Sequence, residues 1–295
     1  MDPLVFIDTN IFLDFYRVRN SEIQVKMLKH IEDSKEKIIM TSQIEMEFKK
    51  HRQSEIIHSL SGLKLDKKMD IPIIIEGSMH AKSLRTHLEQ AITQNEKVKR
   101  KVEKILFNPS NNDSVYKCLQ RLFKSESEIH LSRRKAVRFT IRRLAIKRFM
   151  LGYPPRKRND TSVGDALNWE WMVHCCKLKN KDLIIVSRDS DYGIEHSKQL
   201  YINDWLLQEF KERVNRKKNV LLTNRLTRAM DALCVPVDEA EKEEEQYLID
   251  TSASSASPSL STGSIPRRIS ATGMVESYTP QVYVYPSLSD QDDKE

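Results

Sequence analysis

Short apolar runs that end in polar turns predict buried strands along the chain. Residues 4–7 (LVFI), 37–42 (KIIMTS) and 183–187 (LIIVS) are the clearest runs, and residues 199–202 (QLYI) give a weaker fourth. Between them, segments such as SEIQVKMLKHIEDS repeat their apolar residues at helical spacing. Strands that alternate with helices predict an α/β fold, with a central parallel sheet and helices on both faces.

Residues 78–150 interrupt this alternation. They contain long helical patterns, among them EKVKRKVEKIL and SVYKCLQRLF, on either side of the polar stretch NPSNND. We therefore predict an all-helical, basic insertion between the second and third strands.

The composition changes again near the C-terminus. The segment EAEKEEEQ leads into SASSASPSLSTGS, which has few apolar residues and many Ser, Pro and acidic residues. Such a composition is typical of disorder. The sequence thus predicts one domain over residues 1–236 and an acidic, Ser-rich disordered tail over residues 237–295.

The net charge of +7 is unevenly divided between these two parts. From Val237 onward, twelve acidic and four basic residues give −8, so residues 1–236 carry +15. A surplus of this size indicates a polyanionic partner such as nucleic acid, with solubility alone as the alternative. The tail has the opposite charge, so it is either a restraint on activity or an inert solubilising segment.

The placement of the basic residues favours nucleic acid. Residues 133–158 contain eleven Lys or Arg residues and no acidic residue, which is unusual for an ordinary solvated helix face. The residues that we predict to contact phosphate are Arg138, Arg142, Arg143, Lys147, Arg148, Arg156, Lys157 and Arg158.

Four acidic residues follow the main predicted elements, at the sheet edge where α/β proteins bind ligands: Asp8, Glu47, Asp165 and Asp189. Each has a local explanation, since Asp8 and Asp165 suit helix caps, Asp189 suits a turn and Glu47 suits a solvated helix face. Together they form a carboxylate cluster with the oxygen ligands that Mg²⁺ or Mn²⁺ prefers. Such an ion can activate water for phosphodiester hydrolysis.

Several neighbouring residues are secondary candidates. Glu45 competes with Glu47, because the two acids point to different faces of one helix. Asp191 is a candidate auxiliary metal ligand, and Asn10 and Ser187 are candidates to orient water or phosphate through hydrogen bonds.

The acidic segments VFIDTN, TSQIEME, GDAL and IVSRDSDY resemble the four acidic motifs of PIN-domain nucleases. GYPP, GDALNWE and SRDSDYG are similar to a bacterial PIN-like subfamily of the DUF4935 type, and the resemblance covers about residues 3–75 and 151–210. It implies a PIN-like three-layer sandwich and Mg²⁺- or Mn²⁺-dependent cleavage of a phosphodiester, usually in RNA. The family's acids carry over onto Asp8, Asp165 and Asp189, with Glu47 as the fourth.

The sequence therefore predicts a metal-dependent endonuclease that prefers RNA to DNA. A DNA-directed nuclease and a non-catalytic PIN-like module that binds nucleic acid or protein remain alternatives. A homo-oligomer or a regulatory protein partner stays open, as does a role as toxin, in RNA processing or in phage defence. We expect a cytoplasmic protein without a membrane partner, because the N-terminus opens on a strand and the four cysteines suit reduced thiols. His174-Cys175-Cys176 lacks zinc-site spacing and is predicted to lie in the core.

Overall fold

The computed structural model describes residues 2–60, 70–155 and 162–256, with the backbone alone for residues 252–256. The strands in these ranges are β1 (Leu4–Ile7), β2 (Ile38–Thr41), β3 (His130–Leu131), β4 (Leu183–Val186), β5 (Gly193–His196), β6 (Gln199–Ile202) and β7 (Val220–Thr223). The helices are α1 (Thr9–Asp14), α2 (Ser21–Asp33), α3 (Ser42–Leu60), α4 (Ile73–Glu76), α5 (Met79–Phe107), α6 (Pro109–Asn112), α7 (Ser114–Lys124), α8 (Val137–Met150), α9 (Gly164–Lys179), α10 (Asp204–Arg213), α11 (Leu226–Ala232) and α12 (Glu239–Ala256).

The core of the protein is a parallel sheet with the strand order β3-β2-β1-β4-β7. At its centre, Val5 of β1 pairs with Ile38 of β2 on one side and with Ile184 of β4 on the other. Every residue of β1, β2 and β4 is buried, as expected for strands that are covered by helices on both faces. This architecture confirms the predicted α/β sandwich with a central parallel sheet.

Two strands depart from the prediction. The run QLYI was expected to join the parallel sheet, but β6 pairs antiparallel with β5 in a separate hairpin. A Cβ at Gly193 would lie 2.0 Å from the carbonyl oxygen of Tyr201, so the hairpin requires glycine at this position. The parallel position beside β4 is taken instead by β7, which the sequence pattern did not indicate.

The segment 78–150 is mostly helical, but it is not wholly so. Its short strand β3 extends the sheet beyond β2, with Met40 opposite His130. Helix α7 also buries Val115, Leu119 and Leu122 in the main core, so part of the predicted insertion belongs to the body of the domain. Among the described residues no helix, including the long and highly charged α5, is long and apolar enough to cross a membrane.

The prediction that disorder begins at residue 237 is wrong for residues 239–256, which form α12 against α2 and α11. The acids of this helix act as specific contacts. Glu244 accepts a hydrogen bond of 2.8 Å from the backbone N–H of Arg19, and the buried Glu245 accepts from the first N–H groups of α11. Carboxylates at a helix N-terminus are stabilising, because they satisfy its free N–H groups. The predicted tail beyond residue 256 lies outside the described residues.

Candidate active site

Asp8 lies directly after β1, at the edge of the sheet where the neighbouring strand β4 also ends. Its backbone N–H donates to the carbonyl of Val186 at 2.9 Å, which continues the parallel ladder by one step. Its side chain caps α1 by accepting from the N–H of Thr9 at 2.7 Å. The hydroxyl of Ser187, the first residue after β4, donates to Asp8 Oδ2 at 2.6 Å. The sheet therefore fixes the Asp8 carboxylate from both strands.

Asn10 completes the contacts of this carboxylate. Its amide nitrogen lies 3.2 Å from Asp8 Oδ2 and 3.4 Å from the Ser187 hydroxyl. The two residues that we predicted to orient water or phosphate thus both touch Asp8. They hold one carboxylate oxygen in a defined position at the sheet edge.

Glu47 of α3 reaches the same edge. Its Oε2 accepts a hydrogen bond from the Thr9 hydroxyl at 3.0 Å, and its Oε1 accepts from the Gln43 amide at 2.6 Å. Thr9 therefore joins the carboxylates of Asp8 and Glu47, through its backbone N–H and its hydroxyl respectively. Glu45 instead forms an ion pair of 2.6 Å with Lys49. Of the two competing acids, Glu47 is the one beside Asp8.

Asp165 lies in the first turn of α9, where this helix approaches α3 closely. A Cβ at Gly164 would lie 2.8 Å from both Glu47 Oε1 and Gln43 Nε2, so a larger residue at this position would displace the ends of these two side chains. The N-cap residue is Val163, whose side chain makes no cap hydrogen bond, and Ser162 accepts from the N–H of Gly164 at 3.1 Å.

Asp189 follows β4 by three residues and is exposed, whereas Asp191 is half-buried. The backbone N–H of Asp189 donates to the Ser187 hydroxyl at 3.1 Å, so Ser187 bonds to both Asp8 and the Asp189 loop. Arg188 anchors this loop to α1 through an ion pair of 3.0 Å with the buried Asp14. Asp189 thus lies on an anchored turn beside Asp8.

The electrostatics show that the acids influence one another. The pKa of Asp8 is raised to about 6, mainly by burial and also by the negative charges of Asp189 and Glu47. The hydrogen bonds from Ser187 and from the N–H of Thr9 act in the opposite direction. A carboxylate in this state gains from a nearby cation, because a positive charge favours its ionised form.

Tyr192 is a buried tyrosine whose electrostatic surroundings include several of these acids. It is completely buried, and its hydroxyl has no hydrogen-bond partner within the described part of the chain. Burial raises the pKa of this phenol well above its usual range, and the negative charges of Asp165, Asp8, Asp191 and Glu47 raise it too. Tyr192 is therefore within electrostatic reach of carboxylates from four separate segments.

The donor chemistry fits a hard divalent cation, since the nearby side chains offer carboxylate, amide and hydroxyl oxygens. The side chains are not gathered into a coordination shell, however. Within residues 2–60, 70–155 and 162–256, no three His, Cys, Asp or Glu side chains lie close enough together to hold a metal ion as they are placed. Metal binding would require the carboxylates to turn toward one another.

The basic candidates divide into three groups. Arg142, Arg143 and Lys147 are exposed on α8, and Arg138 is half-buried near its start. The prediction that Arg148 contacts phosphate is wrong. It is only 4% exposed, and its guanidinium binds Glu170 at 2.8 Å and also Glu209. The remaining candidates, at positions 156–158, lie outside the described residues.

Glu170 and the cysteine pair have structural surroundings. Glu170 is buried and bonded to Arg148 and Arg213, so it takes part in an ion-pair network whose other carboxylate is that of Glu209. Cys175 and Cys176 are fully buried, and burial raises the pKa of both thiols. Their place in the main core agrees with the prediction that this segment is structural.

Sequence reasoning missed four residues of the site: Thr9, Gln43, Gly164 and Tyr192. Gly164 carried a usable signal, because the chain has only seven glycines and this one directly precedes a candidate acid. Thr9 was hidden between two more conspicuous residues, and nothing in the pattern marked Tyr192 as buried among carboxylates.

A comparison with protein-family models adds independent evidence. The model described as PIN domain matches residues 5–192, which is more than half of the chain and includes the segment that we predicted as an insertion. No curated protein and no solved structure gives a match. PIN domains are generally nucleases and typically use divalent metal ions, and the match does not distinguish the bacterial subfamily. Fold, acidic motifs and family match agree, and the chain belongs to the PIN-domain family.

Proposed function

We propose that this protein is a metal-dependent endonuclease that hydrolyses phosphodiester bonds, with RNA as the preferred substrate. The observation that carries the proposal is the junction between Asp8 and Glu47, which Thr9 joins by two hydrogen bonds at the sheet edge. Burial raises the pKa of Asp8, the charges of Asp189 and Glu47 add to this, and a divalent cation would favour the ionised carboxylate. Membership of a family of nucleases supports the same reaction.

In this proposal Asp8, Glu47, Asp165 and Asp189 hold Mg²⁺ or Mn²⁺, with Asp191 as an auxiliary ligand. A bound ion of this kind lowers the pKa of a water molecule and neutralises charge on the phosphate. The other residues of the site act on the ligands.

Thr9 and Gln43 fix both oxygens of Glu47. Ser187 and Asn10 fix one oxygen of Asp8. Partners of this kind set the orientation of metal ligands and strengthen metal affinity. Gly164 lies beside the ends of the Glu47 and Gln43 side chains, and Asp165 follows it in the first turn of α9, which supports a role for Asp165 at the same site.

The exposed basic residues of α8 would contact the phosphate backbone of the substrate: Arg142, Arg143 and Lys147. The described part of this helix carries no acidic residue, so its field is not locally compensated. Binding through these residues should weaken steeply as salt is raised.

The test is to incubate the full-length protein with labelled RNA, single-stranded DNA or duplex DNA, each with Mg²⁺, Mn²⁺ or EDTA. We expect internal cleavage of RNA with a divalent ion and no cleavage in EDTA. Cleavage that persists in EDTA would contradict metal dependence, and cleavage of DNA but not of RNA would contradict the proposal that RNA is the substrate. Titration of Mn²⁺ by calorimetry separates a nuclease from a non-catalytic binding module, because the module should give no heat.

A further inference from the structure

A groove of about 270 Å³ lies next to Glu47, one of the four candidate acids. It runs between the start of α3, the start of α8 and the first turns of α9, where Leu167 forms part of its wall. Gln43 lines the groove and also donates to Glu47, so the groove opens next to a candidate metal ligand. An extended ligand that lies in this groove would therefore end close to the candidate metal ligand Glu47.

The groove has the charge of an anion site. Arg133, Arg138 and Arg142 line it, and no acidic residue does. Throughout the ranges that the structure describes, none of these three guanidinium groups forms an ion pair with a carboxylate. Arg52 and Arg148, by contrast, are buried against acids. Three uncompensated guanidiniums around one concavity favour phosphate groups, which they can bind bidentately.

An aromatic ring lies at the same groove. Phe139 is 61% exposed, although it sits on a helix that buries other side chains against α9. The guanidinium of Arg138 lies 4.5 Å from the centre of its ring. An exposed ring beside arginines is the combination with which proteins bind unpaired nucleotides, because the base stacks on the ring and the cations hold the backbone.

We infer that this groove binds a single-stranded nucleic acid, with one unpaired base stacked on Phe139 and the flanking phosphates on Arg133, Arg138 and Arg142. A base in a duplex is stacked on both faces and cannot use the ring, so the groove selects single strands over duplexes. The inference deepens the proposed function. It rests on that function only for the statement that the bound nucleic acid runs from the groove toward Asp8. Binding in the groove does not itself require the metal.

The experiment measures binding by fluorescence anisotropy in EDTA, where the proposed hydrolysis cannot occur. The probes are a labelled single-stranded RNA, a single-stranded DNA of the same sequence and the corresponding duplex. We expect Phe139→Ala to weaken binding of both single strands by roughly 5- to 150-fold, which is the contribution of one base–aromatic stack, and to leave duplex binding unchanged. Phe139→Trp should retain the single-strand affinity.

Phe107 provides a matched control, because it is 94% exposed and lies at the end of α5, outside the groove. Phe107→Ala should bind all three probes as the wild type does. Arg142→Gln should lower the slope of log affinity against log salt by roughly one, and Arg100→Gln, which alters an exposed arginine on α5, should not.

Three results would overturn the inference: wild-type affinity in Phe139→Ala, an equal loss for duplex and single strands, or no binding of any probe by the wild type. The outcome is distinct from that of the proposed function. A protein that never cleaves but shows the Phe139 effect refutes the nuclease and supports the groove. A protein that cleaves RNA while Phe139→Ala binds normally does the reverse.

Discussion

Asp8→Asn should make the stability of the metal-free protein less dependent on pH. Asp8 is 6% exposed, and its pKa in the folded protein is about 6, compared with 3.8 for an unperturbed aspartate. Below pH 3.8 the carboxyl group is protonated in both states, so it has no effect on folding. As the pH rises toward 6, the unfolded chain loses this proton while the folded protein retains it. The free energy of unfolding therefore falls across that window and then stays constant.

The magnitude follows from the two pKa values. A difference of about two pKa units corresponds to about 3 kcal/mol at most, at roughly 1.4 kcal/mol for each unit. Asparagine at this position keeps the acceptor for the N–H of Thr9 and carries no charge. Asp14, whose pKa is also raised to about 6 by burial, is present in both proteins and cancels in the comparison.

Urea unfolding in EDTA between pH 4 and pH 7 measures this difference. The stability of Asp8→Asn relative to the wild type should increase with pH by up to about 3 kcal/mol. Asp33→Asn is the matched control, because Asp33 is exposed at the end of α2, and its difference from the wild type should stay flat. A flat difference for Asp8→Asn as well would refute the account of Asp8 as a buried carboxylate under repulsion.

Three further substitutions test separate contacts. Tyr192→Phe removes a buried hydroxyl without a partner, so it should stabilise the metal-free protein by roughly 1 kcal/mol, seen as a rise of about 2–4 °C in Tm; a clear fall would reveal a partner. Arg148→Met leaves buried carboxylates without their cation and should lower the free energy of unfolding in urea by about 3–5 kcal/mol. Arg143→Met, at an exposed position, should change it by no more than about 0.5 kcal/mol, and equal losses would contradict the burial of Arg148. Glu47→Gln should slow Mn²⁺-dependent RNA cleavage by roughly 100-fold, and Glu45→Gln should not. A larger loss of activity in Glu45→Gln than in Glu47→Gln would contradict Glu47 as the ligand.

The central strands could be predicted because their signal is local. β1, β2 and β4 are fully buried, so each appears in the sequence as a short apolar run. The run in β6 is also short and partly apolar, but its residues alternate between exposed and half-buried in a surface hairpin. Apolar content alone does not distinguish a buried parallel strand from an edge hairpin.

Long-range partners explain the other differences. The acidic segment of α12 suggests disorder by composition. Glu244 nevertheless binds Arg19, 225 residues away in sequence, and Glu245 binds the start of α11, 18 residues away. Arg148 likewise belongs to a basic run, but Glu170 and Glu209 approach it from two other helices. Neither composition nor periodicity reports contacts of this kind.

The candidate site was predictable to the extent that strand ends share one edge. Asp8 and Ser187 were both expected there, and they are in hydrogen-bond contact. The choice between Glu47 and Glu45 required the orientation of α3 relative to Thr9, which no local pattern contains. The short distance between the start of α9 and the Glu47 side chain could be recognised only from the position of Gly164 in the structure.

Cleavage of labelled RNA in Mn²⁺ by the wild type, Asp8→Asn and Asp165→Asn tests the central claim most directly. The wild type should cut the RNA internally, and both variants should lose this activity while their far-UV circular dichroism and cooperative unfolding remain those of a folded protein. Full Mn²⁺-dependent activity in either folded variant would contradict the assignment of these carboxylates as the metal site.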